Sequence, residues 1–279
     1  MNRLPLPKRV QIIGILTEGG SLRAASRLAD CSINTVTKLL IDVGEAASIY
    51  MDQTMRNLQC RQLQCDEIWG FCYSKAKNVP PRMKGTFGYG DVWTWVALCA
   101  DTKIVPSFLV GARDGAAAKV FIDDLAGRLK HRVQLTTDNH RPYLQAVEDA
   151  FGQNIDYAIL SKLYADSQGK TAEKRYSPGT CCGIVVGSVC GNPDLKKAST
   201  SYVERQNLTI RMGVRRLTRL TNGFSKKVEN HAHAMALHFL HYNFARIHKS
   251  LRVTPSMEAG VSDHVWSLEE IASLPDKIS

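Results

Sequence analysis

Three acidic residues occupy positions where carboxylates could do chemistry. Asp66 lies in "CDEIW", Asp138 in "TTDNHRPY" and Glu204 in "SYVERQN". Asp138 closes a strand-favouring stretch, "VQLTT", and Asp and Asn often close strands simply because they hydrogen-bond their own backbone in turns. A second reading has more content. Two carboxylates brought close together repel each other and call for a shared cation. Hard carboxylate oxygens suit Mg²⁺ or Mn²⁺. Glu204 could complete a site for two ions. Two ions roughly 4 Å apart are a known solution for in-line displacement at a phosphodiester, one activating the attacking oxygen and one the leaving oxygen.

The charge distribution points to the same class of substrate. The 279-residue chain carries a net charge of +10. Residues 196–252 hold twelve Lys or Arg against Glu204 and Glu229, so the whole excess lies in that fifth of the chain. Nucleic acid is the natural partner of such a segment, because Lys and Arg neutralise phosphates and release counterions. Arg205, Arg211 and Arg215 are the candidates nearest the Glu. At 100° per residue, Arg211 and Arg215 fall within about 20° of Glu204 on a continuous helix.

The elements that would position these groups follow from periodicity. Residues 7–46 read as three helices, with Val10, Ile13 and Leu16 at helical spacing in the first. Ser21 and Ser32 are plausible N-caps of the second and third. This is helix-turn-helix organisation, with Asn34, Thr35 and Lys38 on the first turns of the third helix, where they could reach base edges. Residues 47–60 read as a connecting helix or linker. From residue 61, strands dominate. "RQLQCDEIWGFCYSK" alternates, with Asp66 opposite Leu63, Cys65 and Trp69. "DVWTWVALCA" is apolar on both faces, as a central strand would be. Pro106 places the next strand, "IVPSFLVGA", at an edge. A helix over "GAAAKVFIDDLAGRL", a strand ending at Asp138, a helix over "YLQAVEDAF" and a fifth strand over "IDYAILSKLYA" complete the pattern.

Three strands in a meander, followed by alternating helices and strands, is the order of an RNase H-like domain, an α/β fold with helices on a five-stranded mixed sheet. In that layout the first and fourth strands are neighbours, which brings Asp66 and Asp138 together. Residues 166–201 read as a Gly- and Ser-rich insertion, followed by a basic helix to about Leu220 and a His-rich helix over 226–247. His231, His233, His238 and His241 do not share one face, which favours a solvated or packed surface over metal binding. Cys181, Cys182 and Cys190 match no zinc spacing. Ser267 and Glu270 have the spacing of a capping box. The domain division expected is a helix-turn-helix domain over 1–46, a linker over 47–60, a catalytic domain over 61–252 and a tail over 253–279.

"CDEIW", "TTDNHRPY" and "SYVERQNLTIRMGVRRLTRLTNGFSK" resemble the three acidic motifs of DDE transposases of bacterial insertion sequences, most closely the insertion-sequence-one type. "HYNFARIHKSLRVTPSMEAG" also resembles the segment that closes many transposase and integrase cores. The resemblance covers roughly residues 61–260. It implies a transposase that recognises element ends and performs metal-dependent DNA cleavage and strand transfer. Asp66, Asp138 and Glu204 would be its catalytic and metal-binding triad, for Mg²⁺ or Mn²⁺. His140, Arg141 and Tyr143 would stand near the strand being cut. Double-stranded DNA is the implied partner and a homodimer or higher oligomer on DNA the implied assembly, in a bacterial cytoplasm at the nucleoid. A catalytically silent DNA-binding regulator and an RNase H-fold nuclease that cuts without joining are the alternatives. No apolar run reaches the roughly 18 residues of a membrane helix, and the scattered cysteines fit a reducing compartment.

Overall fold

Residue alternation along the first strand organises the protein. In the computed structural model, which describes residues 4–164, 181–218 and 221–278, β1 (Gln62–Cys72) pairs antiparallel with β2 (Gly90–Cys99) and parallel with β4 (Gln134–Asp138). β3 (Phe108–Gly111) pairs with β2 at the sheet edge, just beyond Pro106, as the missing N–H of proline requires. β5 (Asp156–Tyr164) lies parallel to β4. The strand order β3-β2-β1-β4-β5, with an antiparallel meander and two parallel additions, is the RNase H-like arrangement.

The sheet has six strands rather than five. β6 (Cys181–Cys190) lies inside the segment expected to be a loop and pairs antiparallel with β5. Val185 and Val189 are exposed on it, so no buried periodicity announces the strand; its Gly and Ser content dominates the pattern instead. The first part of that segment, 166–180, lies outside the described residues.

Helices cover both faces. α4 (Gly115–Ala126), capped by Asp114 accepting from the Ala117 N–H at 2.9 Å, and α5 (Pro142–Phe151) cover one face. There Trp95, fully buried, packs against Phe121 and edge-on against Tyr143. α6 (Ser201–Gly213) and α7 (Val228–Leu240) cover the other, where Phe239 meets Phe108. The basic helix expected to reach Leu220 stops at Gly213. Val214 is extended, with its side chain and that of Leu217 turned inward, so burial of these two apolar residues ends the helix. Arg215 therefore lies beyond α6 and does not share its face with Glu204.

The N-terminal helices α1 (Leu6–Thr17), α2 (Leu22–Leu28) and α3 (Ile33–Thr54) pack onto the C-terminal half of the chain. Ser21 and Ser32 cap α2 and α3 as their sequence positions imply. α3 runs unbroken through residues 47–54, and its Gly44 passes so close to α7 that a Cβ there would lie 2.5 Å from the Cβ of His233. α8 (Pro255–Glu258) and α9 (Leu268–Ile278) follow. α9 opens with the Ser267–Glu270 capping box and is tied to α1 by Arg9, which donates to the Ala272 carbonyl and to Asp276 at 2.9 Å each.

Asn243, fully buried in the π-helical turn 241–245 after α7, satisfies both backbone groups of Val105, accepting from its N–H and donating to its C=O at 3.0 Å each. Asn243→Ala leaves two buried backbone groups without partners, at about 1–3 kcal/mol each. Urea denaturation is expected to show a loss of about 2–6 kcal/mol, whereas a loss within 0.5 kcal/mol would mean water replaces the amide.

Candidate active site

The parallel register sets the site. Cys65 is paired with Thr137, so Asp66 and Asp138 follow side by side on adjacent strands. Asp138 is the last residue of β4, where the ladder ends and its side chain is part-exposed. Glu67 points to the opposite face of β1, toward Trp95 and Tyr143, but lies close enough to join them. Ligand oxygens of Asp66, Glu67 and Asp138 all fall within 4.8 Å of one another.

Each carboxylate is oriented by a different part of the chain. The Asp66 Oδ1 accepts from the Glu67 N–H at 2.9 Å, and Oδ2 accepts from the Asn207 amide of α6 at 2.8 Å. The Asp138 Oδ1 accepts from the His140 N–H at 3.1 Å, which closes the turn into α5. Arg113, on the β3–α4 connection, donates from Nε to Glu67 at 3.1 Å and places its Nη2 3.8 Å from Asp138. Its guanidinium stacks over Trp93 at 4.6 Å. One cation thus faces two of the three acids.

Glu204 sits on the first turn of α6, above the same sheet face as Asp66. Its carboxylate accepts from Thr200 at 2.5 Å and is ion-paired with Lys162 of β5. Asn207, three residues on, reaches Asp66 directly, and the Glu204 charge is felt at Asp66. The structure therefore gathers Asp66 and Asp138 with Glu67, and leaves Glu204 on α6 outside this group, engaged by Thr200 and Lys162. Sequence reading missed Glu67 and Arg113. The available signal for Glu67 was a carboxylate on the apolar side of β1, between Cys65 and Trp69.

Burial pushes the Asp66 carboxyl up to about 7, helped by the neighbouring charges of Glu67, Asp138 and Glu204 and opposed by the Glu67 N–H. Glu67 is raised as well, mainly by burial, against the pull of Tyr143 and Arg113. Burial and Arg113 lower His140. Two buried carboxylates with raised proton affinity, Asp66 and Glu67, and the Asp138 oxygens beside them fit a divalent cation such as Mg²⁺ or Mn²⁺, which relieves the same repulsion a proton does. The Glu67 Oε1, buried with no hydrogen-bond partner among the described residues, adds an unused acceptor.

Other expected site residues fall in different places. Tyr143 is wholly buried under Trp95, so it stands behind the site and not beside a DNA strand. Arg211 donates to the carbonyls of Leu217 and Trp69 at 3.4 Å each, bracing the turn after α6. Arg205 and Arg215 are exposed. Asn34 and Lys38 are exposed on α3, Thr35 half-buried, and Lys38 pairs with Asp42 at 3.1 Å. His231 and His238 are buried in the packing of α7, where burial pulls them down to about 4 and about 3. Among the described residues no helix is long and apolar enough to cross a membrane.

No family profile matches the chain, and no curated protein matches it. Among solved structures it aligns with a piggyBac transposase synaptic complex with hairpin DNA, at 13% identity and a TM-score of 0.39, over 82% of this chain and 54% of that one. It also aligns with the Mos1 strand transfer complex at 15% identity and a TM-score of 0.25, over 56% of this chain and 59% of that one. A pre-cleavage Mos1 transpososome gives 12% identity and 0.24, over 56% and 60%. The chain thus spans 54–60% of the length of these transposase chains. The RNase H-like fold is carried by the strand order and pairing themselves.

The raised Asp66 carboxyl makes a prediction with a definite sign. An unfolded Asp releases its proton near 3.8 and the folded one near 7, so between these values the folded state binds more protons. Without divalent ions, stability should therefore fall as pH rises from 4 to 7, and the penalty should be fully expressed above 7. Asp66→Asn should flatten this slope, and Mg²⁺ should raise the Tm of the parent more at pH 8 than at pH 5. Thermal melts at both pH values test this; an equal Mg²⁺ response in parent and variant would place the ion elsewhere.

Proposed function

We propose that this protein is a DDE transposase, catalysing metal-dependent DNA cleavage and strand transfer at the ends of an insertion sequence. The single observation that carries this reading is the juxtaposition of Asp66 and Asp138 on β1 and β4, with oxygens within 4.8 Å as part of one acidic cluster. In support stand the basic segment 196–252 beside that cluster and the three motifs in chain order.

In this reading Asp66, Asp138 and Glu204 hold Mg²⁺ or Mn²⁺. The ions supply charge neutralisation at the phosphodiester and activation of the attacking oxygen. The chain's own residues do the rest. Asn207 fixes the Asp66 carboxylate, the His140 N–H fixes Asp138, and Glu204 would have to leave Lys162 to join them on a shared ion. Arg113 offsets part of the negative charge and keeps Glu67 and Asp138 at fixed separation. Water would be the nucleophile for cleavage and a freed 3′-hydroxyl the nucleophile for joining, so no Ser or Tyr nucleophile is required. Asn34, Thr35 and Lys38 would read the element ends, while Arg205, Arg211 and Arg215 serve the phosphate backbone. The division into residues 1–46, 47–60, 61–252 and 253–279 belongs to the same proposal, as does a homodimer or higher oligomer bringing two DNA ends together in the bacterial cytoplasm.

An RNase H-fold nuclease that cuts without joining would use the same carboxylates; the exposed polar turn of α3 favours the site-specific reading. A silent regulator would have no use for acids that repel one another.

Asp66→Asn, Asp138→Asn and Glu204→Gln are each expected to lower Mg²⁺-dependent nicking of flanking DNA ends at least 100-fold, with end binding within about 3-fold of the parent. A variant that keeps substantial nicking is not a ligand. Products joined to a second duplex separate strand transfer from simple hydrolysis.

A further inference from the structure

A cavity of about 820 Å³ opens between the N-terminal helices and the segment joining α6 to α7. Its floor is apolar, with Leu16, Leu22 and Leu40 on one side and Val214 and Leu237 on the other. Its charged lining is of one sign. Arg23 of α2, Arg215, Arg216 and Lys226 all line it, and among the described residues no acidic one does. Arg23, Arg215 and Lys226 are exposed, and Lys226 rests over the Phe224 ring at 4.3 Å.

Arg216 sharpens this picture. It donates from Nη1 to Ser225 at 2.7 Å, but its Nη2 is buried with no partner and no carboxylate pairs with it among the described residues. Its burial lowers its proton affinity, with a pKa of about 10. A buried guanidinium without a counter-charge is costly. His231, packed nearby, is kept neutral by burial and by Arg216 itself, so it adds no further positive charge. The positive potential of Arg216 therefore adds to that of three exposed cations around a concave space with apolar walls, which is the arrangement that concentrates anions.

The shape selects among anions. The cations come from two separate parts of the chain, which suits a string of charges better than one small ion. Ile33 and Thr37 of α3 belong to the same wall, and the exposed Asn34 and Lys38 lie on that helix. A polyanion lying along α3 would run into the cavity.

We propose that this groove seats the phosphodiester backbone of the DNA engaged by α3, so that the N-terminal helices and the catalytic body grip one duplex as a single surface. The inference rests on the DNA-processing reading above, but its test requires no cleavage.

The test uses the full chain carrying Asp66→Asn, without divalent ions, and measures duplex binding by fluorescence anisotropy over a KCl series. Arg23→Gln, Arg215→Gln and Lys226→Gln are combined and also made singly, and Lys130→Gln serves as the single-charge control on exposed surface. Each lost phosphate contact flattens the slope of log K against log salt by about 0.9. The triple variant should therefore lose about 2–3 units of slope and bind at least 10-fold more weakly, while Lys130→Gln keeps the parental slope. Thermal melts establish that the variants fold. A triple variant with the parental affinity and slope overturns the proposal. So does inorganic phosphate that shifts the parental melt but not that of the triple variant while leaving DNA binding untouched, since the groove would then be a small-anion site.

Discussion

The parallel pairing of β1 with β4 is the constraint on which the site depends. It sets two carboxylates abreast, where their like charges repel unless a proton or a cation is shared between them. The protein manages the repulsion in three ways visible in the structure. It raises the proton affinity of Asp66, it brings Arg113 against Glu67 and Asp138, and it spends the hydrogen bonds of Asn207 and the His140 N–H on one carboxylate oxygen each. The donor set that results, hard oxygens within 4.8 Å of one another, fits a divalent cation.

Positioning draws on the whole chain. Asp138 is aimed by the turn into α5, whose Tyr143 is locked beneath Trp95. Arg113 depends on the edge strand β3, and Trp95 anchors the same connection by donating to the Ala112 carbonyl at 2.9 Å. Asn207 and Glu204 depend on α6, which Gln64 ties to β1 by accepting from the N–H groups of Tyr202 and Val203 at 2.9 and 3.1 Å. The N-terminal helices are joined to this body through the α3–α7 crossing at Gly44 and the Arg9–α9 contacts, which makes the cationic groove a surface shared by both ends of the chain.

Much of the core was legible in the sequence because burial leaves a period. The alternation in β1, the two-sided apolar run of β2, the edge role implied by Pro106 and the helical spacing in α4 each have one physical cause and one reading. The pairing of Asp66 with Asp138 followed from strand order alone. The rest was hidden for equally physical reasons. β6 buries little and so carries no period. α6 ends because Val214 and Leu217 turn inward, a tertiary preference that local composition does not record. Glu67 and Arg113 are 46 residues apart, and only the folded sheet brings them together. The unpaired Arg216 is invisible until burial around it is known.

The central claim is that the cluster where β1 passes the end of β4 holds divalent metal. Anomalous diffraction from crystals soaked in Mn²⁺ tests it most directly. The account predicts an anomalous peak coordinated by both Asp66 and Asp138, lost in Asp66→Asn crystals. Saturating Mn²⁺ that leaves these carboxylates bare, or that binds only at histidine or cysteine side chains elsewhere, would contradict it.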